Sequence, residues 1–242
     1  MANPSSGKIT TKYKGVLFDL DGTLIDTLPD ILAALNQVLV GEGLREILPE
    51  EGKKFIGGGA YNLIEQAFSA IGIDPEDPEI ETAFKQFLIN YEKDPTSRSR
   101  FYPGVQDFLR TLQLSGIKMG VCTNKPVGLT RKIISKMAID HYFEDAILGG
   151  DSLDIRKPNP QHLVGVIELM GLRPNNVIMV GDSETDIKAA RGAGVPIVVV
   201  DYGYTSIPHH LLGADALISS FFELPDELMI IIKSSLLHKL WA

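Results

Sequence analysis

The stretch Gly15-Val16-Leu17-Phe18-Asp19-Leu20-Asp21-Gly22-Thr23 decides the fold. An apolar run halted by turn residues reads as a buried strand of a parallel sheet. The same pattern returns at Val177-Ile178-Met179-Val180, followed by Gly181-Asp182-Ser183-Glu184-Thr185-Asp186. Open parallel sheets bind ligands beyond the carboxyl ends of their strands. Both acidic clusters fall at that edge. Asp19, Asp21, Asp182 and Asp186 converging there would repel one another unless a cation lay among them, and an all-oxygen set suits Mg²⁺. A metal-dependent enzyme is the expectation.

Working outward, strands are expected at residues 14–20, 118–123, 146–148, 176–180 and 197–200, with a short sixth at 216–219. Helical patterns at 105–115, 127–137, 160–170 and 184–193 alternate with them. That alternation implies an α/β fold, a doubly wound parallel sheet covered on both faces. From Pro29 to about Ser97 there is no good strand. Ile31, Leu32, Leu35, Val38 and Leu39 recur at helical spacing, as do Ile64, Ala67, Phe68 and Ile71, and then Ile80, Phe84, Phe87, Leu88 and Tyr91. Pro49 to Phe55 reads as a short helix before Gly57-Gly58-Gly59. The expected division is a tail at 1–12, an α/β core at 13–27 and 99–242, and an inserted helical bundle at 28–98.

Composition narrows the class. A net charge of −8 over 242 residues argues against a nucleic-acid partner. It leaves room for a small anionic substrate, since a metal and a local cation dominate at short range. The N-terminus lacks the apolar region of a signal peptide, and no apolar stretch approaches the roughly 20 residues needed to span a bilayer. Leu228 to Ile232 reads as part of a terminal helix, and Leu240 and Trp241 as residues packing on the body or on a partner. The expected protein is cytoplasmic, and a monomer or homodimer. The single cysteine, Cys122, lies in a strand pattern and reads as buried and inert. The five histidines show no metal-ligand spacing.

Several residues carry candidate chemistry. An aspartate can attack phosphorus as a nucleophile, and a second carboxyl nearby can move the proton. Asp19 and Asp21 provide such a pair, although Asp-Gly also makes ordinary turns. Thr123 and Asn124 end the strand at Cys122 and offer donors to a phosphoryl oxygen or simply cap a helix. Lys157, in Arg156-Lys157-Pro158-Asn159-Pro160, can neutralise a phosphate or lie solvated in a loop. Asp182 and Asp186 gain from the N-terminal dipole of a helix whether or not a metal is present. Glu184 is expected to face solvent.

Taken in order, these elements resemble the haloacid dehalogenase-like hydrolases. Asp19-Leu20-Asp21-Gly22-Thr23 is similar to that family's first motif, Thr123 to its second, Lys157 to its third and the Gly181–Asp186 stretch to its fourth. Within it the chain looks most like phosphoglycolate phosphatases, through Asp19 to Thr27, Ile56 to Gly59 and Lys157 to Pro160. The resemblance implies Asp19 as nucleophile, Asp21 as general acid/base, and Thr123, Asn124 and Lys157 as phosphate-binding groups. It implies Mg²⁺ on Asp19, the Asp21 carbonyl and Asp182, with Asp186 bound or supporting. The helical insert would be a cap; its Gly57, Gly58 and Gly59 read either as unhindered backbone donors to the non-phosphate end of a small acid or as a plain interhelix loop. Asp21 argues against carbon–halogen cleavage. Other readings are a phosphatase for a sugar phosphate or pyrophosphate, a sugar-phosphate mutase (weakly disfavoured by Thr23), or a non-catalytic metabolite-binding member.

Overall fold

The computed structural model describes residues 13–73 and 77–223. The expected N-terminal tail and the terminal helix with Leu240 and Trp241 lie outside the described residues. Six strands form one parallel sheet: β1 (Gly15–Phe18), β4 (Lys118–Cys122), β5 (Ile147–Leu148), β6 (Val177–Gly181), β7 (Ile197–Val200) and β8 (Ala216–Ile218). Their order is β5-β4-β1-β6-β7-β8, every pairing parallel. From β1 the chain builds outward through β4 and β5, then crosses to β6 on the other side of β1. The direction of winding switches beside β1, where such sheets bind ligands.

Side chains alternate across the sheet, as strand geometry requires. Val16, Phe18, Ile178, Val180, Val198 and Val200 join one apolar cluster, whereas Leu17, Val177, Met179, Ile197 and Val199 join another. The first cluster is completed by α5 (Val105–Leu114) and α6 (Val127–Lys136), the second by α7 (Pro160–Leu169) and α8 (Glu184–Ala193). Helices therefore cover both faces. Expected and observed ends of these elements agree to within about two residues, the usual uncertainty of a fraying terminus.

Between β1 and α5 lie α1 (Leu28–Gly41), α2 (Pro49–Gly52), α3 (Ala60–Ala70) and α4 (Asp77–Lys93). Helix α1 packs on α2 and α4, and α3 on α4. The helical stripes read from sequence point inward: Ile31, Leu35, Leu39, Ile64, Ala67, Phe87 and Tyr91 are buried. One element escaped the sequence reading. At the two crossings between helices and sheet, β2 (Ile25–Asp26) and β3 (Arg100–Phe101) pair antiparallel. Two-residue strands carry too little pattern to stand out. Beside this ladder, buried Asp30 in the first turn of α1 accepts hydrogen bonds from the Ser97 and Ser99 hydroxyls and the Arg98 and Ser99 amides. Asp30 thereby ties the outgoing and returning chains together.

Candidate active site

Strand register assembles the site. Phe18 is level with Val121 on β4 and with Val180 on β6. One or two residues further on, Asp19, Thr123 and Asp182 emerge side by side at the carboxyl edge. The Asp19 amide donates to Val180 O at 3.0 Å and the Thr123 amide to Leu148 O at 3.1 Å, fixing both at the strand ends. Gly22, at φ +80°, makes the turn that follows; a Cβ there would lie 2.5 Å from Asp182 Oδ2. Glycine is required by both the left-handed backbone and the close approach.

Three of the four expected acids converge. One carboxylate oxygen each from Asp19, Asp182 and Asp186 lies within 4.8 Å of the others, all buried. Lys157 Nζ sits among them, 2.8 Å from Asp19 Oδ1 and 2.6 Å from Asp186 Oδ1. Asp186 does two things at once. Its Oδ2 accepts from the Ser183 amide at 3.1 Å and the Ser183 hydroxyl at 2.6 Å, closing the first turn of α8, while its Oδ1 holds Lys157. Asp186 therefore both caps the helix start and pairs with Lys157. Asp182 accepts from the Thr23 hydroxyl and the Tyr204 amide. Glu184 is exposed and pairs with Lys188 one turn on.

The fourth acid departs from the expectation of convergence. The Asp21 side chain turns away from the cluster, captured by the Thr27 hydroxyl at 2.6 Å and by Lys125 Nζ at 2.9 and 3.1 Å. A hydroxyl and an ammonium within reach outweigh alignment with three like charges. Thr27, at the N-terminus of α1, makes no cap because its hydroxyl serves Asp21. The part of Asp21 to which the resemblance assigns the metal is its main-chain carbonyl.

Electrostatics follow from burial. The Asp19 carboxyl is pushed up to about 6 by desolvation, with Lys157 pulling the other way and Asp186 and Asp21 adding to the rise. Asp182 is raised for the same first reason, reinforced by Asp186 and Asp19. Burial would lower the Lys157 ammonium, but Asp186 and Asp19 together hold it above the ordinary lysine range. Three buried acids thus face a single ammonium. Apart from the Lys157 ion pair at 2.8 Å, Asp19 Oδ1 has no partner among the described residues. Excess negative charge, an undonated oxygen and an all-oxygen donor set fit a hard divalent cation held by Asp19, Asp182 and Asp186.

A cavity opens above this cluster. Asp19, Asp21, Thr123, Lys125, Lys157 and Asp182 line its floor. Ile31, Ile56, Leu63, Phe87 and Tyr91, from the helical segment, form its roof. Asn124 also lines it, but its side-chain amide donates to Gly57 O at 2.8 Å and Lys157 O at 2.9 Å, leaving Oδ1 buried without a donor. Gly57 and Gly59 line the roof, whereas Gly58 faces the Asn62 side chain instead. Cys122 is buried near His162, its thiol pushed up to about 12 by desolvation, which fits an inert residue. Lys125, Tyr91 and Tyr204 were not singled out from sequence. Lys125 could have been, since it follows Thr123 and Asn124 at the same strand end. Tyr91 is concealed in an apolar stripe.

Comparison with known proteins agrees with this geometry. Residues 16–200 match the model of the haloacid dehalogenase-like hydrolase family. The chain belongs to that family. It is 39% identical over 217 residues to a phosphoglycolate phosphatase of Rhodospirillum rubrum, covering 88% of this chain and 90% of the other. It is 41% identical over 212 residues to one of Cereibacter sphaeroides, covering 88% and 96%. Among solved structures, a predicted phosphoglycolate phosphatase from Haemophilus somnus superposes with a TM-score of 0.84 at 32% identity, covering 90% and 98%. Among the described residues of this family member, no helix is long and apolar enough to cross a membrane.

Proposed function

We propose that this chain is a Mg²⁺-dependent phosphomonoester hydrolase acting on 2-phosphoglycolate, with residues 28–98 serving as a cap over a core of 13–27 and 99 onward. The observation that carries the chemistry is the Asp19 carboxylate, buried at a strand end against Lys157 and beside Asp182 and Asp186 at the floor of a cavity. The names of relatives near 40% identity support the substrate.

An Asp19 oxygen attacks phosphorus, and the P–O bond to the leaving group breaks as the aspartyl phosphate forms. Asp21 gives the leaving oxygen its proton, releasing glycolate. Asp21 then takes a proton from water as that water attacks phosphorus; inorganic phosphate leaves and Asp19 is restored. Lys157 and the Thr123 hydroxyl hold the phosphoryl oxygens. Asp186 keeps Lys157 in place and charged. The roof excludes bulk water from the acyl phosphate. Mg²⁺ would be held by Asp19, Asp182 and the Asp21 carbonyl, with Asp186 bound or supporting, and would supply positive charge to offset the repulsion between nucleophile and phosphate.

Phosphate release across small phosphomonoesters and pyrophosphate, with and without EDTA, tests this. The reading expects 2-phosphoglycolate to lead in kcat/KM and EDTA to abolish turnover. Preference for a sugar phosphate would move the substrate assignment. No release by folded, Mg²⁺-loaded protein would remove the hydrolase.

A further inference from the structure

The mechanism above gives Lys157 a task but leaves a second buried lysine without one. Lys125 is 6% exposed, at the end of β4. Its ammonium contacts both oxygens of Asp21 and the hydroxyl of Tyr91, at 3.0 Å. It also lies 4.6 Å from the centre of the Tyr91 ring. An ammonium has three protons to donate. The two Asp21 oxygens and the Tyr91 hydroxyl account for all three, so the ammonium meets a second anion by giving up one oxygen of Asp21. Lys125 borders the cavity, as do both its partners.

Its place in the cavity gives this doubled contact to Asp21 meaning. Lys157 is committed at the phosphoryl end, between Asp19 and Asp186. Lys125 stands off that cluster, next to the acid that would protonate the leaving oxygen, and under a roof of Ile31, Ile56, Leu63 and Phe87. A leaving group entering there meets apolar carbon on one side and a single ammonium on the other. A carboxylate buried against that roof without a cation would be strongly disfavoured. With Lys125 it gains a charge-assisted bond.

We infer that Lys125, held in place by Tyr91, selects esters whose leaving group carries a carboxylate close to the ester oxygen. This deepens the phosphatase reading and rests on it. The bound carboxylate replaces one Asp21 oxygen on the ammonium, and Lys125 then bridges the substrate's anion and Asp21. Selection and proton delivery thus meet at one side chain. An ester of equal length without the anion loses that charge-assisted bond, and Asp21 keeps both of its contacts to the ammonium.

The test compares 2-phosphoglycolate with 2-hydroxyethyl phosphate, which replaces the carboxylate by a neutral CH₂OH. In the Mg²⁺-loaded wild type, kcat/KM should favour the anionic ester by about 100-fold. Lys125→Met should lower that ratio at least about 10-fold, chiefly by raising KM for 2-phosphoglycolate. Tyr91→Phe should lower it in the same direction by about 3-fold. If K125M depresses both esters equally and the ratio stands, Lys125 merely positions Asp21 and the inference fails while the hydrolase remains. Equal use of both esters by the wild type has the same meaning. Hydrolysis of neither overturns the phosphatase reading and takes the inference with it. Should K125M not fold, an unchanged ratio in Y91F overturns the proposal by itself.

Discussion

At the carboxyl edge of the sheet, Asp19, Asp182 and Asp186 are buried with an oxygen of each within 4.8 Å of the others, and Lys157 pairs with Asp19 and Asp186. Across the cavity, the helical segment presents Ile31, Ile56, Leu63 and Phe87, with the Tyr91 hydroxyl reaching down to Lys125. The floor concentrates charge in a dry place, where each charge is held by a strand end or a helix start. The roof offers little beyond shape and one phenol. The floor accordingly suits the step shared by every phosphate ester, and the roof suits choosing among esters. Changes at the floor should strike kcat, and changes at the roof KM.

The largest expected effect is at the floor. Asp19→Asn should lower kcat by about 10⁴-fold or more. Its melting temperature should hold or rise, because one of three crowded, buried negative charges is removed while Lys157 keeps Asp186. Steady-state kinetics beside a thermal melt would show both, and residual turnover above a tenth of wild type would break the division of labour. Lys157→Met should cost about 10³-fold in kcat. It should also lower the melting temperature most in EDTA, since Asp19 and Asp186 are left without a counter-ion. Added Mg²⁺ should restore part of that loss; a melt indifferent to Mg²⁺ would deny the acidic cluster its cation.

At the roof, Gly59→Ala would put a Cβ 3.3 Å from Asn124 O at a φ of +95°. A several-fold rise in KM for 2-phosphoglycolate with a smaller change in kcat is expected, measured by initial rates. A kcat defect without a KM change would blur the boundary between roof and floor.

The smallest effect concerns pH. Without metal, the Asp19 carboxyl sits at about 6 in the folded protein, raised from 3.8 first by burial. A raised carboxyl favours the folded state while it keeps its proton, and that contribution is lost as pH climbs from about 4 through 6. Mg²⁺ competes with the same proton. The Mg²⁺-induced rise in melting temperature should therefore grow by a few degrees from pH 5 to pH 7. Scanning fluorimetry in EDTA and in Mg²⁺ would show it, and an equal shift at both pH values would count against Asp19 as a ligand.

The same contrast explains what could be read from sequence. The floor was legible because each acid is adjacent to an apolar strand, and a parallel register then dictates that Asp19, Thr123 and Asp182 meet. The helical segment was legible as helices from its buried stripes. Its contribution to the site was not, because Tyr91 occupies a stripe position whose ring is core while its hydroxyl leaves the core for Lys125. The turn of Asp21 toward Thr27 and Lys125 was hidden for a related reason. Alternation along a strand gives direction only while the strand continues, and β1 ends at Phe18. The β2–β3 ladder and the Asp30 clasp join residues about 70 positions apart, and no local pattern announces such pairings.

The most direct test of the central claim is the stereochemical course at phosphorus. A chiral, isotopically labelled thiophosphate analogue of 2-phosphoglycolate would be hydrolysed in ¹⁸O-enriched water and the configuration of the thiophosphate product read. Transfer to Asp19 followed by hydrolysis is two in-line displacements, so retention is the predicted result. Inversion would mean that water attacks the ester directly, and the nucleophilic role given to Asp19 would be wrong.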